Sequence, residues 1–186
     1  FDRSEEITSR IPKGFIFGAA TSSWQIEGSS HTRGRSIWED FCDVSGRILD
    51  GAGADPATDH INRLESDLDL LARLGVDSYR FSVSWPRILH EGHGAVDPKG
   101  LEFYDRLIDG LLERNIKPAL TLYHWDLPSA LQAKGGWANK EIYEHFENYA
   151  DVLSSKFADR VFSWATLNEP WVCLLYTSPS PRDRQK

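Results

Sequence analysis

Apolar positions along the chain follow two rhythms: short runs of β-favouring residues alternate with longer stretches in which apolar residues return every three or four positions. The second rhythm is that of a helix with one buried stripe, and the alternation is that expected of parallel strands joined by crossover helices. Four such units are read. The first run, Phe15 to Ala20, ends in a polar, Gly-containing loop from Thr21 to Gly28. A helix from about Asp59 to Leu74 follows, with Ile61, Leu64, Leu68, Leu71 and Leu74 on one face and Gly75 as its stop. Next comes a strand from Ser78 to Trp85, then a helix announced by Asp97 as cap and Pro98 in its first turn, running to about Asn115. A third strand, Lys117 to Tyr123, feeds His124-Trp125-Asp126. A helix from about Lys140 to Phe157 follows the cap candidate Asn139, and a fourth strand, Val161 to Leu167, delivers Asn168-Glu169-Pro170.

Right-handed crossovers set such strands side by side with their carboxyl ends on one rim. On that rim lie Gln25, the segment Arg80 to Trp85, His124-Trp125 and Asn168-Glu169. In barrels and in doubly wound sheets alike, this is where chemistry is assembled. A nucleotide-binding sheet would carry a Gly-rich phosphate turn after its first strand. Here Thr21-Ser22-Ser23-Trp24-Gln25-Ile26-Glu27-Gly28 stands in that place, aromatic and amide-bearing, which suits a sugar better than a pyrophosphate.

Composition narrows the field. With 186 residues, 40% apolar and 12% aromatic, the chain can bury a sizeable core. A formal net charge of -7 and the lack of a dense Lys/Arg cluster argue against nucleic acid or anionic lipid as a partner. Cys42 and Cys173 have no metal-ligand or disulfide-framework spacing, so two buried, reduced thiols are expected and no metal site. No long apolar span or signal-peptide pattern is present, which points to a cytoplasmic protein, although the chain contains no Met and its true start is expected to be either processed away or missing. From about Leu174 periodicity and apolar face both vanish. The expected division is residues 1–173 as barrel and residues 174–186 as an unstructured tail foreign to it.

Glycosidic hydrolysis needs one carboxylic acid to protonate the leaving oxygen and a second carboxyl group as nucleophile or base. Glu169, at the end of a β-rich strand between an amide and a proline, is the best-placed acid. Gln25, His124, Trp125 and Asn168 supply the amides, imidazole and ring that a pyranose pocket wants. Each has a plain packing explanation by itself; their coincidence on one rim is harder to dismiss. Arg80, inside a strand beside Phe81, calls for a carboxylate, either as a structural ion pair or to hold a catalytic carboxylate ionised. Glu27, Glu39 and Asp126 are weak candidates for the second carboxyl, since nothing in their flanks sets them apart.

The runs Phe15-Ile-Phe-Gly-Ala-Ala-Thr-Ser-Ser-Trp-Gln-Ile-Glu-Gly28, Tyr79-Arg-Phe-Ser-Val-Ser-Trp-Pro-Arg87, Leu122-Tyr-His-Trp-Asp-Leu-Pro128 and Thr166-Leu-Asn-Glu-Pro170 resemble glycoside hydrolase family 1, in its order and spacing, over roughly residues 11 to 173. That resemblance implies the amino-terminal part, about four β/α units, of a (β/α)8 TIM barrel. It implies a retaining β-glycosidase of the β-glucosidase type acting on a β-glucoside or oligosaccharide, with no cofactor. Glu169 would be the acid/base, Gln25, His124 and Asn168 would bind sugar hydroxyls, Trp125 would border the same subsite, and Arg80 would support the nucleophile. The family's nucleophile lies in a Thr-Glu-Asn-Gly-like segment, and the sequence contains none, so the chain alone is expected to have no turnover. Its two open sheet edges favour poor solubility or edge pairing. The competing readings are a sugar-binding or receptor-like barrel without catalysis and a nucleotide-binding α/β protein.

Overall fold

The computed structural model describes residues 10–171. Four strands, β1 (Gly18–Ala20), β2 (Ser78–Ser82), β3 (Lys117–Tyr123) and β4 (Ser163–Leu167), form one sheet in the order β1-β2-β3-β4. All three pairings are parallel, with Ala20 opposite Arg80, Arg80 opposite Ala119, and Ala119 opposite Ser163. Sequential parallel neighbours, each reached through helical segments, are the arrangement of the amino-terminal part of a (β/α)8 barrel.

The helices are α1 (Ser23–Ile26), α2 (Ile37–Cys42), α3 (His60–Leu74), α4 (Trp85–Ile88), α5 (Pro98–Glu113), α6 (Ser129–Ala133) and α7 (Ile142–Phe157). The three long ones are those the periodicity predicts, and their ends follow from local chemistry. The Asp97 side chain accepts from the Lys99 amide, Pro98 needs no partner for a missing N–H, and Gly75 closes α3 in the left-handed region at φ 68. Asn139 does not cap α7. Its side chain accepts from the Glu141 amide one turn earlier, and the helix begins at Ile142.

One cluster forms the core. Leu64, Leu68 and Leu71 of α3, Phe103, Tyr104, Leu107, Ile108 and Leu111 of α5, and Tyr149, Leu153 and Phe157 of α7 are buried with Tyr79, Phe81, Leu120 and Leu122 of the sheet. Alternation along β2 separates its two faces: Tyr79 and Phe81 are buried whereas Arg80 between them is exposed. Gly100 lets α5 close on α4, because a Cβ there would lie 2.2 Å from the Arg87 carbonyl oxygen.

Several expectations are corrected. The first run is a strand only over its last three residues, and Phe15, Ile16 and Phe17 are exposed. The second strand stops at Ser82, because Pro86 sits in the first turn of α4, which takes over from Trp85. Leu74 lies exposed at the end of α3, outside the buried stripe. Cys42 is a free, half-buried thiol at the end of α2 rather than a core residue. Cys173 and the tail read from Leu174 onward lie outside the described residues. No helix among the described residues is long and apolar enough to cross a membrane.

Candidate active site

The carboxyl ends of the four strands are held together by hydrogen bonds that continue past the ladder. The Thr21 amide donates to the Arg80 carbonyl oxygen at 2.9 Å, and the Asn168 amide donates to the Tyr123 carbonyl oxygen at 2.9 Å. The segments that follow β1 and β4 therefore leave the sheet in fixed register with their neighbours.

Past β1 the chain turns at once into α1, a single turn that the expected loop reading did not include. It carries Gln25, whose side chain is exposed on the rim and bonded to no described residue. Past β3 come His124, half-buried, and Trp125, which holds φ 76, an unusual conformation for a side chain of that size. The two rings lie 5.2 Å apart. The Trp125 indole Nε1 donates to the Asn168 carbonyl oxygen at 2.8 Å, fixing the segment past β4 on which Glu169 stands. Glu169 is exposed and sits at φ 47. Backbone held in this region next to a candidate acid is the kind of strain that clusters at functional sites.

His124 is acted on by charges from two strands. Burial pushes its imidazole below the ordinary histidine value, Arg80 pushes the same way, and Glu169 opposes them. Arg80, His124, Trp125, Asn168 and Glu169 are thus gathered at one place. Gln25 shares the rim and is tied to it through its own helix. Arg80 makes no ion pair with a carboxylate among the described residues.

The buried ion pair belongs instead to Arg87. Its Nε donates to Glu27 at 2.9 Å, Nη1 donates to the Thr32 hydroxyl at 2.8 Å and Nη2 to the Gly28 carbonyl at 3.1 Å. The Tyr104 hydroxyl donates to the other Glu27 oxygen and accepts from the Ser84 amide at 2.8 Å. The signal was in the sequence: Arg87 stands between Trp85-Pro86 and Ile88-Leu89, where a cation requires a partner. Glu27 is therefore committed to structure. Glu39 is as well, its carboxylate accepting from the Ser36 amide at 2.8 Å in a capping box and pairing with Arg33. Asp126 is fully buried, and burial raises its carboxyl to about 6 although the Ser23 hydroxyl donates to it at 2.9 Å. None of the three faces the rim as a second catalytic carboxyl would.

An open depression of about 410 Å³ lies at the opposite end of the strands, lined by Asn115, Lys117, Pro118, Arg160 and Phe162 among others. Its cations are already engaged, since Lys117 lies over the Phe162 ring at 5.0 Å and Arg160 pairs with Asp105 at 2.7 Å and with Asp109. No candidate residue reaches it. Among the described residues, no group of three or more His, Cys, Asp or Glu side chains could hold a metal ion.

Residues 7–178 match the pattern of Glycosyl hydrolase family 1. The chain is 54% identical over 165 residues to Beta-glucosidase A of Thermotoga maritima, covering 88% of this chain and 37% of that protein. It is 46% identical over 184 residues to a Beta-glucosidase of an Agrobacterium species, covering 96% of this chain and 40% of that protein. The solved structure of the Thermotoga maritima β-glucosidase in complex with castanospermine superposes with a TM-score of 0.84 at 55% identity, over 87% of this chain and 37% of that one. The chain thus spans well under half the length of these curated relatives.

Proposed function

This chain belongs to glycosyl hydrolase family 1, and on that footing we propose that it carries the acid/base half of a retaining β-glycosidase that hydrolyses terminal, non-reducing β-D-glucosyl residues. Glu169 is the acid/base. It gives its proton to the departing oxygen while a nucleophile attacks the anomeric carbon, then as carboxylate takes a proton from the water that releases the sugar. Asn168, Gln25 and His124 bind hydroxyls of the sugar, and Trp125 borders its apolar face. The nucleophile comes from a strand beyond the four described here, and Arg80 supports it.

The observation that supports this reading most is the setting of His124, acted on by Arg80 from β2 and by Glu169 from beyond β4. An imidazole kept neutral by burial and a nearby cation both accepts and donates hydrogen bonds, as a hydroxyl-binding group must. Arg80 stands on the open face of the sheet without a described carboxylate, which suits a partner on a later strand. That relatives are β-glucosidases, and that one was solved with the sugar mimic deoxynojirimycin, supports the substrate class.

The test joins this chain to the carboxyl-terminal strands of the Thermotoga maritima relative. The completed barrel is expected to hydrolyse an aryl β-glucoside, and the 186-residue chain alone is expected to release none. A Glu169→Gln barrel that keeps full turnover contradicts the assignment.

A further inference from the structure

Ser23, Ser82 and Asp126 form a buried chain of hydrogen bonds beneath the rim that nothing above assigns to the site. The Ser23 amide donates to the Ser82 hydroxyl at 2.8 Å, the Ser82 hydroxyl donates to the Ser23 hydroxyl at 3.1 Å, and the Ser23 hydroxyl donates to Asp126 Oδ2 at 2.9 Å. Each hydroxyl has one proton to give, so the carboxylate at the end of the chain sets the direction of the two hydroxyl bonds, and the Ser23 amide N–H can only donate. The three residues come from three separate strand ends. Ser23 opens α1, two residues before Gln25; Ser82 ends β2, two residues after Arg80; Asp126 follows His124 and Trp125.

We infer that Asp126 is a positioning residue: through Ser23 it clamps the turn that carries Gln25 to the strand end that carries His124 and Trp125. Packing alone does not explain it. All three side chains are buried, and Asp126 Oδ1 accepts no hydrogen bond from a described residue. A carboxylate there costs stability that an apolar side chain of the same size would not. What the carboxylate does supply is a directional acceptor at the one point where the three rim segments converge. It also anchors the residue directly after Trp125, which holds φ 76.

The charges around Asp126 fit a group held near the balance between its two forms. Burial raises its carboxyl to about 6; Ser23, Arg33 and Ser84 favour the carboxylate, and Glu27 opposes it. From α7, Tyr149 faces it as a neutral phenol, kept so by burial and by the carboxylates of Asp126 and Glu27.

The inference rests on the reading of Gln25 and His124 as sugar-binding groups, but its test does not need a sugar. In the isotope-labelled 186-residue chain, the side-chain amide of Gln25 and the indole N–H of Trp125 report on the two clamped segments, and the indole of Trp137, packed on Tyr123, serves as control. Ser23→Ala and Asp126→Ala are expected to shift and broaden the first two signals and leave the third in place. Asp126→Asn keeps an acceptor for Ser23 and is expected to restore them. Where Asp126→Ala fails to fold, Ser23→Ala and Ser82→Ala decide. Gln25 and Trp125 signals unmoved in a folded Ser23→Ala chain, or displaced as far by Asn as by Ala at position 126, overturn the clamp. A clamp that behaves as stated in a chain whose completed barrel hydrolyses no glucoside upholds this inference and rejects the function.

Discussion

Arg87 and Glu27, separated by 60 residues, meet at 2.9 Å with side chains only 4% and 5% exposed. The pair joins the end of α1 to α4, and Tyr104 brings α5 into the same junction through its hydroxyl. Two segments that approach the rim from different strands are therefore fixed to each other from below.

Breaking that pair from one side leaves a buried charge alone. Glu27→Ala is expected to destabilise the chain by about 3–5 kcal/mol, read as a lowered midpoint in urea unfolding. A double replacement of Glu27 and Arg87 by apolar residues of similar volume is expected to cost far less. Equal losses in the single and double variants would mean that the pair is not coupled.

Tyr104→Phe removes the donor to Glu27 and the acceptor for the Ser84 amide together. A loss of about 1–3 kcal/mol is expected, with the slope of the denaturation curve unchanged. A loss of a few tenths would show that water takes over both bonds.

Asp126 makes stability depend on pH with a definite sign. Its folded carboxyl is raised to about 6, above the ordinary value of 3.8, so between those values the folded chain holds a proton that the unfolded chain has released. Stability therefore falls as pH rises from 4 toward 6, by on the order of 2–3 kcal/mol, and levels off above. His124 works in the opposite sense, since its lowered imidazole costs stability as pH drops below its ordinary value of 6.5. Unfolding at several pH values in the parent and in Asp126→Asn isolates the first effect, which the variant should lack.

The edge strands offer a fourth check. Trp164 on β4 is 37% exposed and Phe17 beside β1 is 49% exposed, and β1 and β4 each have one strand neighbour among the described residues. Light scattering should show the 186-residue chain associating as its concentration rises, and Trp164→Lys should reduce that association. Monodisperse behaviour at all concentrations would contradict open, adhesive edges.

The three long helices were legible because each has a single repeated contact to satisfy, the buried face of one sheet; the four strands were legible in place, but β1, β2 and β4 not in length. What eluded the sequence lies where tertiary partners decide. Alternation could have put Arg80 on the face opposite Phe81, but only three-dimensional proximity gives Arg87 to Glu27 and leaves Arg80 open. Likewise, α1 is a single turn whose hydrogen bonds to Ser82 and Asp126 come from strands far along the chain. No local pattern encodes it. The candidate site residues were read in a different way, as amide, imidazole, indole and carboxyl falling after successive strands. The roles of Glu27, Glu39 and Asp126 as structural carboxylates required their partners Arg87, Ser36 and Ser23 to be seen.

Glu169 is proposed to act as a proton donor that becomes a proton acceptor. In the barrel completed from the Thermotoga relative, Glu169→Gly should lose about 10²–10⁴-fold in turnover of an aryl β-glucoside. Added azide, which needs no base to attack, should restore the rate and yield a β-glucosyl azide of retained configuration. Turnover that is unaffected by the substitution, or a lost rate that azide leaves unchanged, would contradict it.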